Sequence, residues 1–437
     1  MELGAKGNNY SHKKELDISS KYSINCFNSN LESSFRLDNR SSYPSTINSL
    51  EADNNQLLSS HTNATSDDTK DDKAYSSTSG YGLIDASAAV SKAVGQSPFP
   101  DVADLGGNNW GADLVKAPET WAQGYTGEGV VVAVLDTGVD YNHNDLKRNI
   151  WTNSKEIAGN GKDDDGNGYI DDVYGWNFNS DNNNTLDDNG HGTHVSGTIA
   201  GTNNGFGVTG IAYDAKIMPV KVLDDSGSGS YTAIASGIYY AVNNGADVIN
   251  LSLGGDSSDF ILQLAIQYAS SQGTIVVMSA GNESASVPAY PARYAENWGI
   301  AVGAVDQNNN MAEFSNRAGT TPLAYVTAPG VEVYSTVPNN DYASYSGTSM
   351  AAPHVTGVVA LMLSANSSLT DSQVRQILAE TSGNNPKETS FTLNTKSFAS
   401  TTTANSSFSL EQDWYDYDNP KSFIKDEKPG FSEKPGF

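Results

Sequence analysis

The chain is nearly without cysteine. Its 437 residues hold one, Cys26, so an internal disulfide framework is excluded. Positive charge is also scarce: 25 Lys and Arg stand against 51 Asp and Glu, a net charge of -26. That sign argues against nucleic acid as the main partner, because a phosphate backbone is bound by basic faces. It suits divalent cations and basic peptide segments, although simple solubility accounts for much of it. The opening stretch, MELGAKGNNYSHKKELDISS, lacks the apolar core of a secretory leader. No uninterrupted apolar run is long enough to cross a bilayer. The expectation is a soluble, cytoplasmic monomer without a nucleic-acid or membrane partner. A leader already removed, or a non-standard export route, would read the same way.

What is present falls into four parts. Residues 1–78 are polar and poor in aliphatics; such a segment cannot bury enough surface to offset its ordering entropy, and disorder is expected. Residues 79–102 hold GLIDASAAVSKAV, an amphipathic helix pattern, and then a linker, GQSPFPD. From 103 to 384 strand-length apolar runs alternate with helical stretches. The runs are GVVVAVL (129–135), KIMPVKVL (216–223), DVINLSL (247–253), TIVVMSA (274–280) and IAVGAV (300–305). Continuous Val/Ile runs separated by helices predict an α/β fold: three layers, with a mainly parallel twisted sheet covered by helices on both faces. The stretch from Ser349 to Leu363 is apolar nearly all round and belongs deep in the core. Thr370-Asp371-Ser372-Gln373 reads as a capping box opening a last helix. Residues 385–437 turn polar again and end in the near-repeat EKPGFSEKPGF.

Four places carry chemistry. Asp136 ends an apolar run, where ligands of an open parallel sheet collect, though a lone Asp there is commonly a turn residue. His191 lies between glycines in NGHGTHVSGTIAG, at the start of a helix. His194 follows three residues later, but the zinc pattern with a glutamate between wider-spaced histidines is missing, so metal is discounted there. Asn282 ends a strand in a Gly turn, as a turn former or as a side-chain N–H donor to an oxyanion. Ser349 opens the apolar helix. Capping alone would explain it, but the same helix end also favours developing negative charge.

Asp, His and Ser in that chain order, with the Asn between, resemble the subtilisin-type triad. VLDTGVD, GHGTHVSGTIAG, DVINLSLGG, AGNE and GTSMAAPHV carry the resemblance to the subtilisin-like serine proteases, over residues 103–384. It implies a subtilisin-like fold and an endopeptidase in which Ser349 attacks the peptide carbonyl and His191 moves the proton. Asp136 orients the imidazole, while Asn282 and the Ser349 backbone N–H hold the oxyanion. It implies a peptide cleft edged by Gly227, Ser228 and Gly229 on one side and by Ser252, Leu253, Gly254 and Gly255 on the other. Ala280, Gly281 and Ala289 would complete the main pocket, with Glu283 at its rim favouring Arg or Lys. Tyr290-Pro291 matches a pair that is cis in the family. The partners implied are protein or peptide substrates. Beside a general endopeptidase stand two other readings, a dedicated precursor-processing protease and a calcium-dependent peptide-binding pseudoprotease; the intact triad weighs against the last.

Calcium is the expected cofactor. In NGKDDDGNGYIDD the residues Asp163, Asp165, Asn167 and Gly168 follow a D-x-[DN]-x-[DN]-G spacing. Tyr169 would offer its carbonyl, and Asp171 stands at the ninth place. Tyr174 occupies the twelfth, so Asp172 is the expected substitute for the usual Glu. The resemblance implies a second site from Asp145, Asn204 and the carbonyls of Thr202, Phe206 and Val208. One departure stands out. The GxGxxNA element that usually closes the family's domain is not seen after the last helix. GYGLIDASAAV (80–90) resembles it instead and is expected to dock in its place.

Overall fold

The computed structural model describes residues 75–383. The expected disorder of residues 1–74 and the polar tail from 385 lie outside the described residues. Residues 75–78, assigned above to the disordered part, are fixed: Ser76 and Gly80 exchange backbone hydrogen bonds, and Tyr75 Oη donates to Ala318 O. The Tyr75 ring packs edge-on against Tyr81, and Thr78 O and Ser77 O accept from Ala318 N and Gly319 N.

Seven strands form one parallel sheet. They are β1 (Val131–Asp136), β2 (Trp176–Asn177), β3 (Lys216–Lys221), β4 (Val248–Leu251), β5 (Ile275–Ser279), β6 (Ile300–Val305) and β7 (Tyr325–Pro329), in the order β2-β3-β1-β4-β5-β6-β7. β1 pairs with β3 on one side and β4 on the other, Val132 facing both Ile217 and Val248. The chain therefore reverses its winding direction at β1. In open α/β sheets that reversal opens a crevice beyond the carboxyl ends of the strands.

Helices cover both faces, which is why the strands read as unbroken apolar runs. Three short helices and four long ones matter here: α1 (Ala86–Ala93), α2 (Trp110–Leu114), α3 (Ala117–Trp121), α4 (His191–Ala200), α5 (Tyr231–Asn243), α6 (Phe260–Ser271) and α7 (Thr348–Ala365). α8 (Asp371–Thr381) ends the described chain, and both hydrogen bonds of the predicted capping box are made, Gln373 N to Thr370 Oγ1 and Thr370 N to Gln373 Oε1. One face of the sheet packs against α1, α4 and α7, the other against α5 and α6. α7 is long and apolar enough to cross a membrane, but it is the central helix of the first face and is buried through Leu363. A two-stranded antiparallel hairpin, β8 (Val333–Val337) and β9 (Asp341–Tyr345), leads into it.

The helix that the periodicity predicts over 82–94 starts only at Ala86, and the segment 80–84 is extended. It adds to β7 in parallel: Tyr81 N donates to Tyr325 O, Thr327 N to Gly82 O and Ile84 N to Thr327 O. Gly383 N donates to Leu83 O on the far side, so the segment is paired on both edges. Gly80 lies so close to β7 that a Cβ would sit 2.3 Å from Tyr325 O, and its φ of +59° suits only glycine well. Asp85 then caps α1 by accepting from Ala88 N at 2.8 Å. α1 buries Ala86, Ala89 and Val90 against α7 and α8. The expected linker is not wholly loose either. Phe99 is buried, stacked on Tyr125, and its N–H donates to Ser87 Oγ at 2.9 Å.

Because Ile84 is 1% exposed within this core, Ile84→Ala is expected to cost about 2–5 kcal/mol. Urea unfolding would read it as a lower midpoint at unchanged slope; an unmoved midpoint would place the arm outside the cooperative unit.

Candidate active site

Asp136 is the last residue of β1 and has no exposure. Its Oδ1 accepts from Thr137 N at 2.7 Å and lies 2.7 Å from His191 Nδ1. His191 is the first residue of α4, and the approach depends on Gly192: a Cβ there would lie 2.1 Å from Gly138 O and 3.0 Å from Asp136 Cβ. Nδ1 faces a carboxylate and so carries the proton, which leaves Nε2 as the basic nitrogen.

Asp187, which the motifs did not single out, fixes this junction. Its Oδ1 accepts from Thr137 Oγ1, Asn189 N and Gly190 N, and its Oδ2 from Thr193 N and Thr193 Oγ1, all between 2.6 and 3.0 Å. A buried carboxylate satisfied this fully, at the positive end of a helix, locks the start of α4. The signal was an Asp four residues before His191 in an Asp/Asn-rich turn.

Ser349 lies in the first turn of α7 and is 4% exposed. Its Oγ is 3.3 Å from Ser252 O, beyond the end of β4. Pro353 sits one turn later inside the helix and has no N–H for the Ser349 carbonyl. That carbonyl instead accepts from Ser252 Oγ at 2.8 Å, and Asn250 Nδ2 donates to the same Ser252 Oγ. Thus the proline frees an acceptor that binds α7 to the end of β4. Asn282, just past β5, accepts at Oδ1 from Thr348 N at 2.8 Å and from Thr348 Oγ1 at 2.9 Å. A backbone N–H can only donate, so the amide orientation is settled and Nδ2 faces away from Thr348.

Part of the set of residues assigned to the cleft also comes together. Gly255 and Tyr290 pair across a bridge, and Ala289 N donates to Ala280 O at 2.8 Å, so segments 252–255, 280–283 and 289–290 close on one another. The Tyr290-Pro291 bond is cis. Gly227, Ser228 and Gly229 form a tight turn around Asp224, whose Oδ1 accepts from Ser226 N and Ser228 N. Glu283 is exposed, and its Oε2 accepts from Asn316 Nδ2 at 2.7 Å.

A model of the Subtilase family matches residues 127–408. The chain belongs to the subtilase family. It is 44% identical over 279 residues to subtilisin DY of Bacillus licheniformis, covering 63% of this chain and 91% of that protein. It is 45% identical over 272 residues to subtilisin Savinase of Lederbergia lenta, covering 62% and 90%. A solved structure titled as a cold adapted subtilisin-like serine proteinase matches 57% of this chain and 81% of its own at 33% identity, with a TM-score of 0.47. This subtilase is therefore a serine endopeptidase in family and a peptide hydrolase in activity.

The acidic loop of the subtilase differs from its expected ligand set. Among the described residues, one group of carboxylates comes together closely, Glu156, Asp163 and Asp165, with an oxygen from each within 4.8 Å of the others. Glu156 precedes the spacing motif and was missed. Its Oε1 accepts from Asp164 N and Asp165 N, while its Oε2 is buried without a hydrogen-bond partner. Such an orphaned anionic oxygen beside two more carboxylates fits a hard cation. Asp171 is turned away: its backbone is left-handed, φ 53°, and its carboxylate accepts from Asn160 N and Gly161 N. Asp172 is a buried hub instead, accepting from Asn153 Nδ2, Asn167 Nδ2 and Tyr240 Oη. Asn167 Oδ1 accepts from Tyr169 N, and the Tyr169 ring packs against Trp176, Phe178 and Tyr240. At the second predicted place Asp145 and Asn204 meet, Nδ2 to Oδ1 at 2.6 Å. Asp145 also accepts from Val208 N and Tyr342 Oη, Thr202 N donates to Asp145 O, and Phe206 N to Asn204 Oδ1.

Two other histidines are buried and pushed down, His194 to about 3 and His354 to about 4, chiefly by lost hydration. The unfolded chain protonates both near pH 6.5 and the folded chain does not. Below that pH the unfolded state binds more protons, so stability falls as pH drops from about 6.5 toward 4. His354→Leu should flatten this part of a melting-temperature profile; equal slopes in both proteins would contradict the assignment.

Proposed function

We propose that the subtilase cleaves peptide bonds through Asp136, His191 and Ser349, by way of an acyl-enzyme on Ser349. The observation that carries this reading is the 2.7 Å contact between His191 Nδ1 and the fully buried Asp136, at the carboxyl edge of the sheet into which Ser349 opens. With Nδ1 committed to Asp136, Nε2 accepts the Ser349 proton as Oγ attacks the carbonyl carbon. The scissile C–N bond breaks as the same proton passes to the leaving amine. Water then repeats the sequence to release the acid. Asn282 Nδ2 and the Ser349 N–H, which in the first turn of α7 has no helical acceptor, receive the oxyanion. The peptide lies extended between 227–229 and 252–255, with its side chain among Ala280, Gly281 and Ala289. Glu283 at the rim favours a basic residue there.

Ser349→Ala is expected to abolish peptide hydrolysis and labelling by a serine-directed fluorophosphonate. Removing the side-chain oxyanion donor costs about 10²–10³ in kcat in subtilisin itself. That magnitude is carried over from the family, and a fall of the same order is expected for Asn282→Leu. Labelling that survives in Ser349→Ala would remove the serine from the chemistry.

We further propose that Glu156, Asp163 and Asp165 hold calcium, which when bound supplies positive charge that neutralises the loop. The support is the buried Glu156 Oε2 and the proximity of the three groups. Calcium is expected to raise the melting temperature of the EGTA-treated protein, and Glu156→Gln to lower its calcium affinity by calorimetry. Melting unchanged by both calcium and EGTA would rule this out.

A further inference from the structure

His194 stands one helical turn after His191 on α4 and is fully buried. Its Nε2 lies 3.0 Å from Val333 O and 3.1 Å from Ala343 O. Both oxygens only accept, so Nε2 carries the proton and the ring is the neutral Nε2–H tautomer. Nδ1 is buried and makes no hydrogen bond. The two acceptors belong to opposite strands, Val333 to β8 and Ala343 to β9. The imidazole also stacks flat on Tyr345, at 4.5 Å and 11°. Two bonds run the other way: Ser335 Oγ donates to His194 O at 2.7 Å and Thr336 Oγ1 to Thr193 O at 2.8 Å. Past Tyr345 the chain is tied once more, Gly347 N to Gly330 O, and then delivers Thr348 and Ser349.

We propose that His194 is a positioning residue for peptide hydrolysis: by donating one proton to both strands of the β8–β9 hairpin, it fixes where the hairpin delivers Ser349 relative to His191 on the same helix. This rests on the triad reading above. A buried histidine that merely fills space would need no acceptor on each strand and no stack on the residue that leads into the serine turn. The ring also stays neutral while its neighbour works. Burial, and then the charge of His191, hold it well below the ordinary histidine range. A protonated ring would direct a second N–H into a space with no acceptor.

The test uses the full chain with three substitutions. His194→Phe keeps a stacking ring and loses the donor. His194→Gln places an N–H near the position of Nε2, and His194→Asn places one near Nδ1. Active sites are counted by fluorophosphonate titration, so kcat is expressed per titrated site, with KM measured on one peptide substrate. Misplacement of a catalytic group by an ångström costs on the order of 10²-fold. His194→Phe is expected to lose about 10–100-fold in kcat per site with KM within about twofold. Gln is expected to restore most of it. If Phe does not fold, Asn carries the same expectation. A loss confined to melting temperature or to the number of titratable sites, with kcat per site unchanged, overturns the proposal. So does a Gln variant as slow as Phe or Asn. Full activity in Ser349→Ala would sink the triad reading itself, a result distinguishable from either.

Discussion

A carboxylate with no exposure is the constraint around which this subtilase is arranged. Burying an unpaired charge is expensive, and Asp136 is buried completely, with Oδ1 receiving two donors and Oδ2 receiving no hydrogen bond. Its surroundings supply what the side chain lacks. The Asp136 carbonyl is held by Val222 N and Leu223 N, so the end of β1 cannot rotate away. Lys221, itself buried, donates from Nζ to Thr137 O at 2.6 Å and to Asp225 Oδ1 at 2.9 Å, bringing a positive charge to the back of the same turn. Asp187 then fastens the turn to α4. Removing any one of these would leave the others with unmet donors or acceptors, which is costlier than never having made the network.

The position of that carboxylate follows from topology. β1 is where the sheet reverses its winding, so β3 and β4 leave on either side and their following loops rise around its carboxyl end. The segments 227–229 and 252–255, expected to edge a peptide cleft, lie in those loops. Ser349 reaches the same place by another route, through the hairpin and the first turn of α7. Two unrelated parts of the chain must therefore meet at ångström accuracy, and the meeting is made with polar bonds: Ser252 to the Ser349 carbonyl, Asn282 to Thr348, and Thr356 Oγ1 to Asn250 Oδ1 at 2.8 Å. Apolar packing brings α7 to the sheet; directional bonds set its register along it.

What could be read from the chain alone follows from this division. The buried strands were legible because a sheet covered on both faces demands unbroken Val and Ile. Asp136, His191, Asn282 and Ser349 drew notice because each sits in a motif whose glycines permit close approach. Asp187 was not, since its task is set by five donors that folding alone assembles. β7 and the β8–β9 hairpin were missed because their runs are short; β7 ends at Pro329 and pairs with the more distant β6, while β8 and β9 mix polar with apolar residues. Residues 82–84 read as the start of the helix, since Leu83 and Ile84 fit the period of Ala86, Ala89 and Val90. Pairing with Thr327 and Gly383 decided otherwise.

The acidic loop marks the limit of spacing arguments. Asp172 and Asp145 are carboxylates like Asp163, yet the protein satisfies each with neutral donors of its own. Tyr240 is well suited to this, because burial and Asp172 push its phenol up and keep it a donor. Glu156, Asp163 and Asp165 differ in being three charges within 4.8 Å, a mutual repulsion of about 3–4 kcal/mol per pair at an effective dielectric of about 20. Backbone N–H groups reach most of those oxygens but bring no net charge, and one Glu156 oxygen receives nothing. Of the acidic residues in this loop, those three are the ones brought within 4.8 Å of one another, and the distinction lies in where donors fall in space. A pattern that counts aspartates along the chain weighs Asp171 and Asp163 alike; the backbone turn at Asp171 is what separates them.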